Sequence, residues 1–164
     1  MAGPLQAVGG RAVSQLDLHL TLCFLGAVHE SAIASLRMRA SQLDAAQFSL
    51  QFDRIEYWRE SRVIVAVAPQ VPPQALSLVH ALESAVSELG LAPDRKPWRP
   101  HVTLARRVLR ERALPGWQSG LQVAAKLEWL VDCFHLVESR KRCSEDLLGE
   151  QPRYTLLGSW PLRS

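Results

Sequence analysis

The chain carries His-x-Thr-Leu twice, as His19-Leu20-Thr21-Leu22 and as His101-Val102-Thr103-Leu104. With five histidines and three threonines in 164 residues, two such units are far more than random placement would produce. Residues i and i+2 of a β-strand point to one face, so each unit, read as a strand, sets an imidazole beside a hydroxyl. Two such strands facing each other across a cleft would offer both pairs to one ligand. Histidine titrates near neutral pH, so one ring can accept a proton while the other donates one. Threonine hydroxyls can hold the non-bridging oxygens of a phosphoryl group. These are the requirements for opening a cyclic phosphodiester: a base for water, an acid for the departing ribose oxygen, and donors for the charge of the transition state. No third His, Asp or Glu sits at ligand spacing near either unit, so neither a metal nor another cofactor is expected. No Gly-x-Ser-x-Gly turn is present, which removes a serine-hydrolase reading.

The surrounding pattern supplies elements to carry these residues. Positions 17–26 (DLHLTLCFLG) read as a strand, with Leu18, Leu20 and Leu22 on one face and His19, Thr21 and Cys23 on the other. A helix is expected over about 29–43, a strand over 47–58, and a β-branched strand, RVIVAVA, over 62–68. Pro72 and Pro73 open a helix that Gly90 is placed to end. A proline-rich loop then feeds the strand 101–108, followed by a less regular stretch over 109–120. Further strands are expected around 129–138 and 153–160, with 139–152 as a loop or hairpin tip. This order fits an α+β arrangement, helices packed on sheets. The recurrence of the motif reads as a weak duplication into two half-domains.

Composition sets the class. An apolar share of 48% and a charged share of 21% are ordinary for a globular protein, and the length suits one domain. No apolar run approaches the ~20 residues of a spanning helix, and the first residues lack the pattern of a secretory signal. Three cysteines, none at C-x-x-C spacing, argue against a disulfide framework or a structural zinc site. A cytoplasmic protein is expected. The net charge is only +3, but Arg95, Lys96, Arg99, Arg106, Arg107, Arg110 and Arg112 face a single acid, Glu111, in that stretch. Arg140, Lys141 and Arg142 form a second cluster. Such local positive charge suits a polyanion, nucleic acid included.

The segments LDLHLTLCFLG (16–26) and KPWRPHVTLARR (96–107) resemble the two signature strands of the 2H phosphoesterase superfamily. More narrowly, they are similar to the bacterial and archaeal RNA 2′,3′-cyclic phosphodiesterases, the LigT-like group formerly called 2′-5′ RNA ligases. FHLVESR (134–140) and RYTLLGSWPL (153–162) are similar to that group's closing strands. The resemblance implies one domain over 1–164 with two α+β lobes: antiparallel sheets line a central cleft, helices lie on the outer faces, and each lobe carries one motif strand. It implies His19 as proton donor to the leaving 3′ oxygen, His101 as proton acceptor from water, and Thr21, Thr103 and Arg106 as phosphate ligands. Strand alternation alone leaves Arg106 on the wrong face, five positions from His101, unless the strand bends or ends. The implied substrate is RNA ending in a 2′,3′-cyclic phosphate, or a cyclic nucleotide, opened to a 2′-phosphomonoester. Two alternatives share these residues: a 2′-5′ RNA ligase acting on tRNA halves, and a module that binds RNA without turnover.

Other residues carry weaker signals. His29 reads as a helix start, His80 as a helix-surface residue and His135 as packing. Trp58, Trp98 and Tyr154 could stack on a base, although aromatics in strands more often pack. The 139–152 loop is a candidate for RNA backbone contact. Family members begin with a strand and a helix ahead of the first motif, and 18 residues precede His19 here. The expectation is a lobe lacking those elements, with apolar surface or an open sheet edge exposed. A monomer is expected, with contact between chains a further option at that gap.

Overall fold

The computed structural model describes residues 10–93, 96–109, 121–139 and 153–164. Among the described residues, seven strands and two α-helices follow in the order β1 (Arg11–Ala12), α1 (Ile33–Ser41), β2 (Phe48–Trp58), β3 (Val63–Val67), α2 (Pro73–Glu88), β4 (His101–Arg106), β5 (Leu121–Val131), β6 (Cys133–Ser139) and β7 (Tyr154–Pro161). Strands β1-β4-β3-β2-β5 form one antiparallel sheet in that order, and β6 pairs with β7 in a second. The architecture is α+β, as the element order implied. No helix among the described residues is long and apolar enough to cross a membrane.

The β-branched run that suggested a strand buried on both faces is β3, at the centre of the five. Val63, Ile64 and Val65 are all buried there, between β2 and β4. The main core joins Phe48, Leu50 and Phe52 of β2 to Ala75 and Leu78 of α2 and to Phe134 of β6. Leu50 and Leu78 are fully enclosed, so truncating either to alanine would cost ~2–5 kcal/mol. Helix α2 begins with Pro73 in its first turn, where a missing N–H costs nothing. Gly90 ends it at φ 76°. Its N–H donates to the Ser87 carbonyl while the Leu91 N–H donates to that of Val86, the paired closure that a left-handed residue permits.

Three expectations change. The strand read over 17–26 does not form: Gln15–Asp17 is a 3₁₀ turn, and the first motif makes one isolated bridge, Leu20 to Val102 of β4. Apolar alternation specifies a strand's faces, but a strand also needs neighbours along its length, and here the ladder stops after one rung. The motifs therefore meet directly at the edge of β4 instead of standing on separate strands. The strand read over 129–138 is two strands, β5 and β6, parted at Asp132. The β5 portion begins eight residues earlier, at Leu121. Its Leu127 and Leu130 are more than half exposed at the sheet edge, so over 126–131 no alternating buried face marks it. The helix read over 29–43 contracts to α1 after a 3₁₀ turn at Glu30–Ala32, whose N-cap His29 accepts from the Ser31 N–H.

A cavity of about 390 Å³ lies between the first motif, the helices and the β5–β7 strands, lined largely by apolar residues such as Leu20, Leu22, Leu36 and Trp160. The expectation of absent N-terminal elements turns on residues 1–16, of which 10–16 hold only the two-residue β1 and the start of the 3₁₀ turn, while 1–9 lie outside the described residues, as do Arg140, Lys141, Arg142 and Cys143.

Candidate active site

The bridge between Leu20 and Val102 is antiparallel. Carrying its register one residue each way sets His19 opposite Thr103 and Thr21 opposite His101. Paired residues share a face and neighbours along the chain alternate. Leu20 and Val102 pack against the main core, so on β4 His101 and Thr103 turn to the other side, and the bridge brings His19 and Thr21 alongside them.

Arg106 joins them through an irregularity. Val67, Ala66 and Val65 pair with His101, Val102 and Thr103, but the next residue of β3, Ile64, pairs with Ala105. Leu104 is thus an extra residue, a bulge that resets the alternation. Ala105 falls on the core face with Val102 and is fully buried, and Arg106 returns to the face of His101 and Thr103. His101, Thr103 and Arg106 thus share one face of β4, and the charges of His19 and Arg106 both act on His101.

Each imidazole is held in the same way. His19 Nδ1 lies 2.6 Å from the Asp17 carbonyl oxygen, and His101 Nδ1 lies 2.7 Å from that of Arg99. A carbonyl only accepts, so Nδ1 carries the proton in both rings and Nε2 is the working nitrogen. Each ring also packs on an aromatic: His19 on Tyr154 at 4.5 Å between centroids, His101 on Trp58 at 4.4 Å. An arginine covers each aromatic, Arg153 over Tyr154 at 5.9 Å and Arg99 over Trp58 at 5.1 Å. Asp17, buried, accepts the Arg153 backbone N–H at 2.6 Å. Glu56 accepts from Arg99 at 3.0 Å and from the Trp58 indole at 2.8 Å.

The two sides are also tied together. The Trp98 indole N–H donates to the Thr21 carbonyl at 2.8 Å, linking the loop before the second motif to the first. Trp58, Trp98 and Tyr154 therefore serve as supports in this structure. Asp17 and Glu56 escaped the sequence reading, and Arg99 entered it only as part of a basic cluster, because nothing in local spacing shows that Glu56 lies beside Arg99.

Burial is the largest influence on His101 and pulls its pKa below the usual 6.5. The hydrogen bond to Arg99 raises it, while the charges of Arg99, His19 and Arg106 lower it further. A ring so placed is neutral near pH 7 and ready to accept a proton. Neither described cysteine competes as a nucleophile: burial and Glu83 push the Cys23 thiol up to about 11, and burial with Asp132 raises Cys133. Among the described residues no cluster of His, Cys, Asp and Glu is arranged to hold a metal. His80 and His135 are exposed and stand outside this constellation.

The profile of the 2′-5′ RNA ligase superfamily matches residues 2–142. The chain is 34% identical over 97 residues to the RNA 2′,3′-cyclic phosphodiesterase of Escherichia coli, covering 59% of this chain and 55% of that protein. It is 33% identical over 165 residues to the protein of that name from Thermus thermophilus, covering 94% and 77%. The chain thus spans little more than half the length of the E. coli relative and more of the Thermus one. Among solved structures, E. coli LigT complexed with 3′-AMP superposes with a TM-score of 0.80 at 28% identity, over 96% of this chain and 83% of that one. TT0787 of T. thermophilus superposes at 0.72 with 30% identity, over 95% and 84%.

Proposed function

Because the chain belongs to the 2′-5′ RNA ligase superfamily, and has the fold of its LigT structures, we propose that it hydrolyses RNA 2′,3′-cyclic phosphates to 2′-phosphomonoesters. Water attacks phosphorus from the His101 side and gives its proton to His101 Nε2. The bond from phosphorus to O3′ breaks, and His19 Nε2–H protonates the departing oxygen. The hydroxyls of Thr21 and Thr103 and the guanidinium of Arg106 hold the non-bridging oxygens as charge builds. The observation that supports this reading is the bridge at Leu20 and Val102 with the bulge at Leu104, which sets the first motif against the second and returns Arg106 to the face of His101 and Thr103. The lowered pKa of His101 supports its role as base. The relatives' names supply the substrate class. We place the activity in the cytoplasm, in a monomer; the free Cys23 and Cys133 suit a reducing compartment.

The test is product analysis on each nucleoside 2′,3′-cyclic phosphate and on an oligonucleotide with that end, with and without excess chelator. The 2′-phosphomonoester should form at the same rate in both. Activity lost in chelator and restored by a divalent ion would overturn the mechanism, and joined 2′-5′ products from RNA ends would reassign the reaction to ligation.

A further inference from the structure

A second pocket, of about 450 Å³, shares His19 with the site and is lined by Arg11, Arg106, Arg107 and Arg153, with the buried Asp17 also in its wall. Two features of its construction are costly without an anion. Arg11 pairs directly with Arg106 across β1 and β4, and like charges in opposite positions of a ladder repel. Arg107 sits at φ 57°, a left-handed conformation unusual for a side chain of its size. Successive residues of a regular strand point to opposite faces, and this break allows Arg106 and Arg107 to line the same pocket. Strain kept at such a place points to function. The ion pairs formed by arginines among the described residues involve Arg39, Arg99 and Arg163, all outside the pocket.

Resting on the proposed hydrolysis, we infer that this pocket binds the backbone phosphates of the RNA strand on the 5′ side of the cyclic end. The stereochemistry of displacement gives the direction. Attacking water and leaving O3′ lie on opposite sides of phosphorus, so the ribose sits on the side of the acid, His19. The strand continues from that ribose, and the arginine pocket is next to His19. The pocket makes the site selective for an oligonucleotide end over a mononucleotide.

The experiment compares kcat/KM for a nucleoside 2′,3′-cyclic phosphate and a short single-stranded oligonucleotide with the same end, across a salt series. Binding of a 3′-phosphate-ended oligonucleotide, read by fluorescence anisotropy, runs in parallel. The oligonucleotide should be favoured at low salt, and its affinity should fall with a log–log slope of about 0.7 per phosphate contact. Arg11→Gln and Arg107→Gly should each lower oligonucleotide kcat/KM and affinity by ~10-fold and flatten the slope, with mononucleotide turnover unchanged. Arg107→Gly also relieves the positive φ, so its loss of binding would not come from unfolding. Equal kcat/KM and equal salt slopes for both substrates would overturn the inference. So would an oligonucleotide preference that survives both variants but falls in Arg99→Gln, since the strand would then leave over Trp58. If neither substrate turns over while the anisotropy arm behaves as stated, the hydrolysis reading fails and the phosphate pocket stands.

Discussion

The two halves of the site share a local plan and differ in their foundations. Each histidine bonds through Nδ1 to the carbonyl two residues earlier, and each leans on an aromatic covered by an arginine. His101, however, stands on β4, with β3 on one flank and β1 on the other, and its ring is desolvated among cations. His19 stands on an irregular segment joined to β4 by a single bridge and the Trp98 bond. Ring orientation and tautomer are thus set by the same short-range bonds in both halves. The lowered pKa of His101 comes from the wider surroundings, because desolvation and neighbouring charge act on the proton that its Nε2 gains.

The comparison is most exposed to removal of either ring. His19→Ala and His101→Ala should each reduce turnover by ~10²–10⁴, and the double variant should be little worse than one alone, as cooperating groups are not additive. Near-normal turnover in either would strike that half from the mechanism. Next in size, Arg106→Ala should lower kcat/KM by ~10² while thermal stability barely changes, since the side chain is only partly enclosed. A collapsed Tm with intact catalysis would make Arg106 structural.

The link between halves can be cut by Trp98→Phe, which removes one hydrogen bond and keeps the ring. A loss of ~0.5–1.5 kcal/mol in unfolding free energy is expected, with a larger fall in kcat/KM than His29→Ala produces. Equal effects of these two changes would show that Trp98 merely packs. The smallest effect concerns burial of His101. Its folded pKa is lowered and its unfolded value is 6.5, so between the two the unfolded chain binds more protons. Stability should be unaffected above 6.5, decline as pH falls through that window, and level off below the folded pKa. Denaturant titrations from about pH 8 to about pH 5 should show this slope, and His101→Asn should remove its contribution. The acid limb of the rate profile should likewise lie below 6.5; a limb above it would assign the base elsewhere.

How much of this was legible in the residues differs between the halves. The buried β3, the proline start and glycine stop of α2, and the two His-x-Thr units all rest on local rules of periodicity, backbone conformation and side-chain chemistry, which act within a few residues. The first motif obeyed those rules and still formed no strand, because backbone pairing depends on what lies alongside. Arg106 is the sharpest case: alternation alone put it on the wrong face, and a one-residue bulge against β3 brings it back. Glu56, Trp58 and Tyr154 come to the histidines and to Arg99 only through packing of elements far apart in the chain, so local spacing carried no sign of their supporting roles. The sequence by itself determined which groups could exchange protons and hold a phosphate. Only the tertiary structure decided how the two motifs meet at β4 and that burial lowers the pKa of His101, because register and desolvation are properties of neighbours in space.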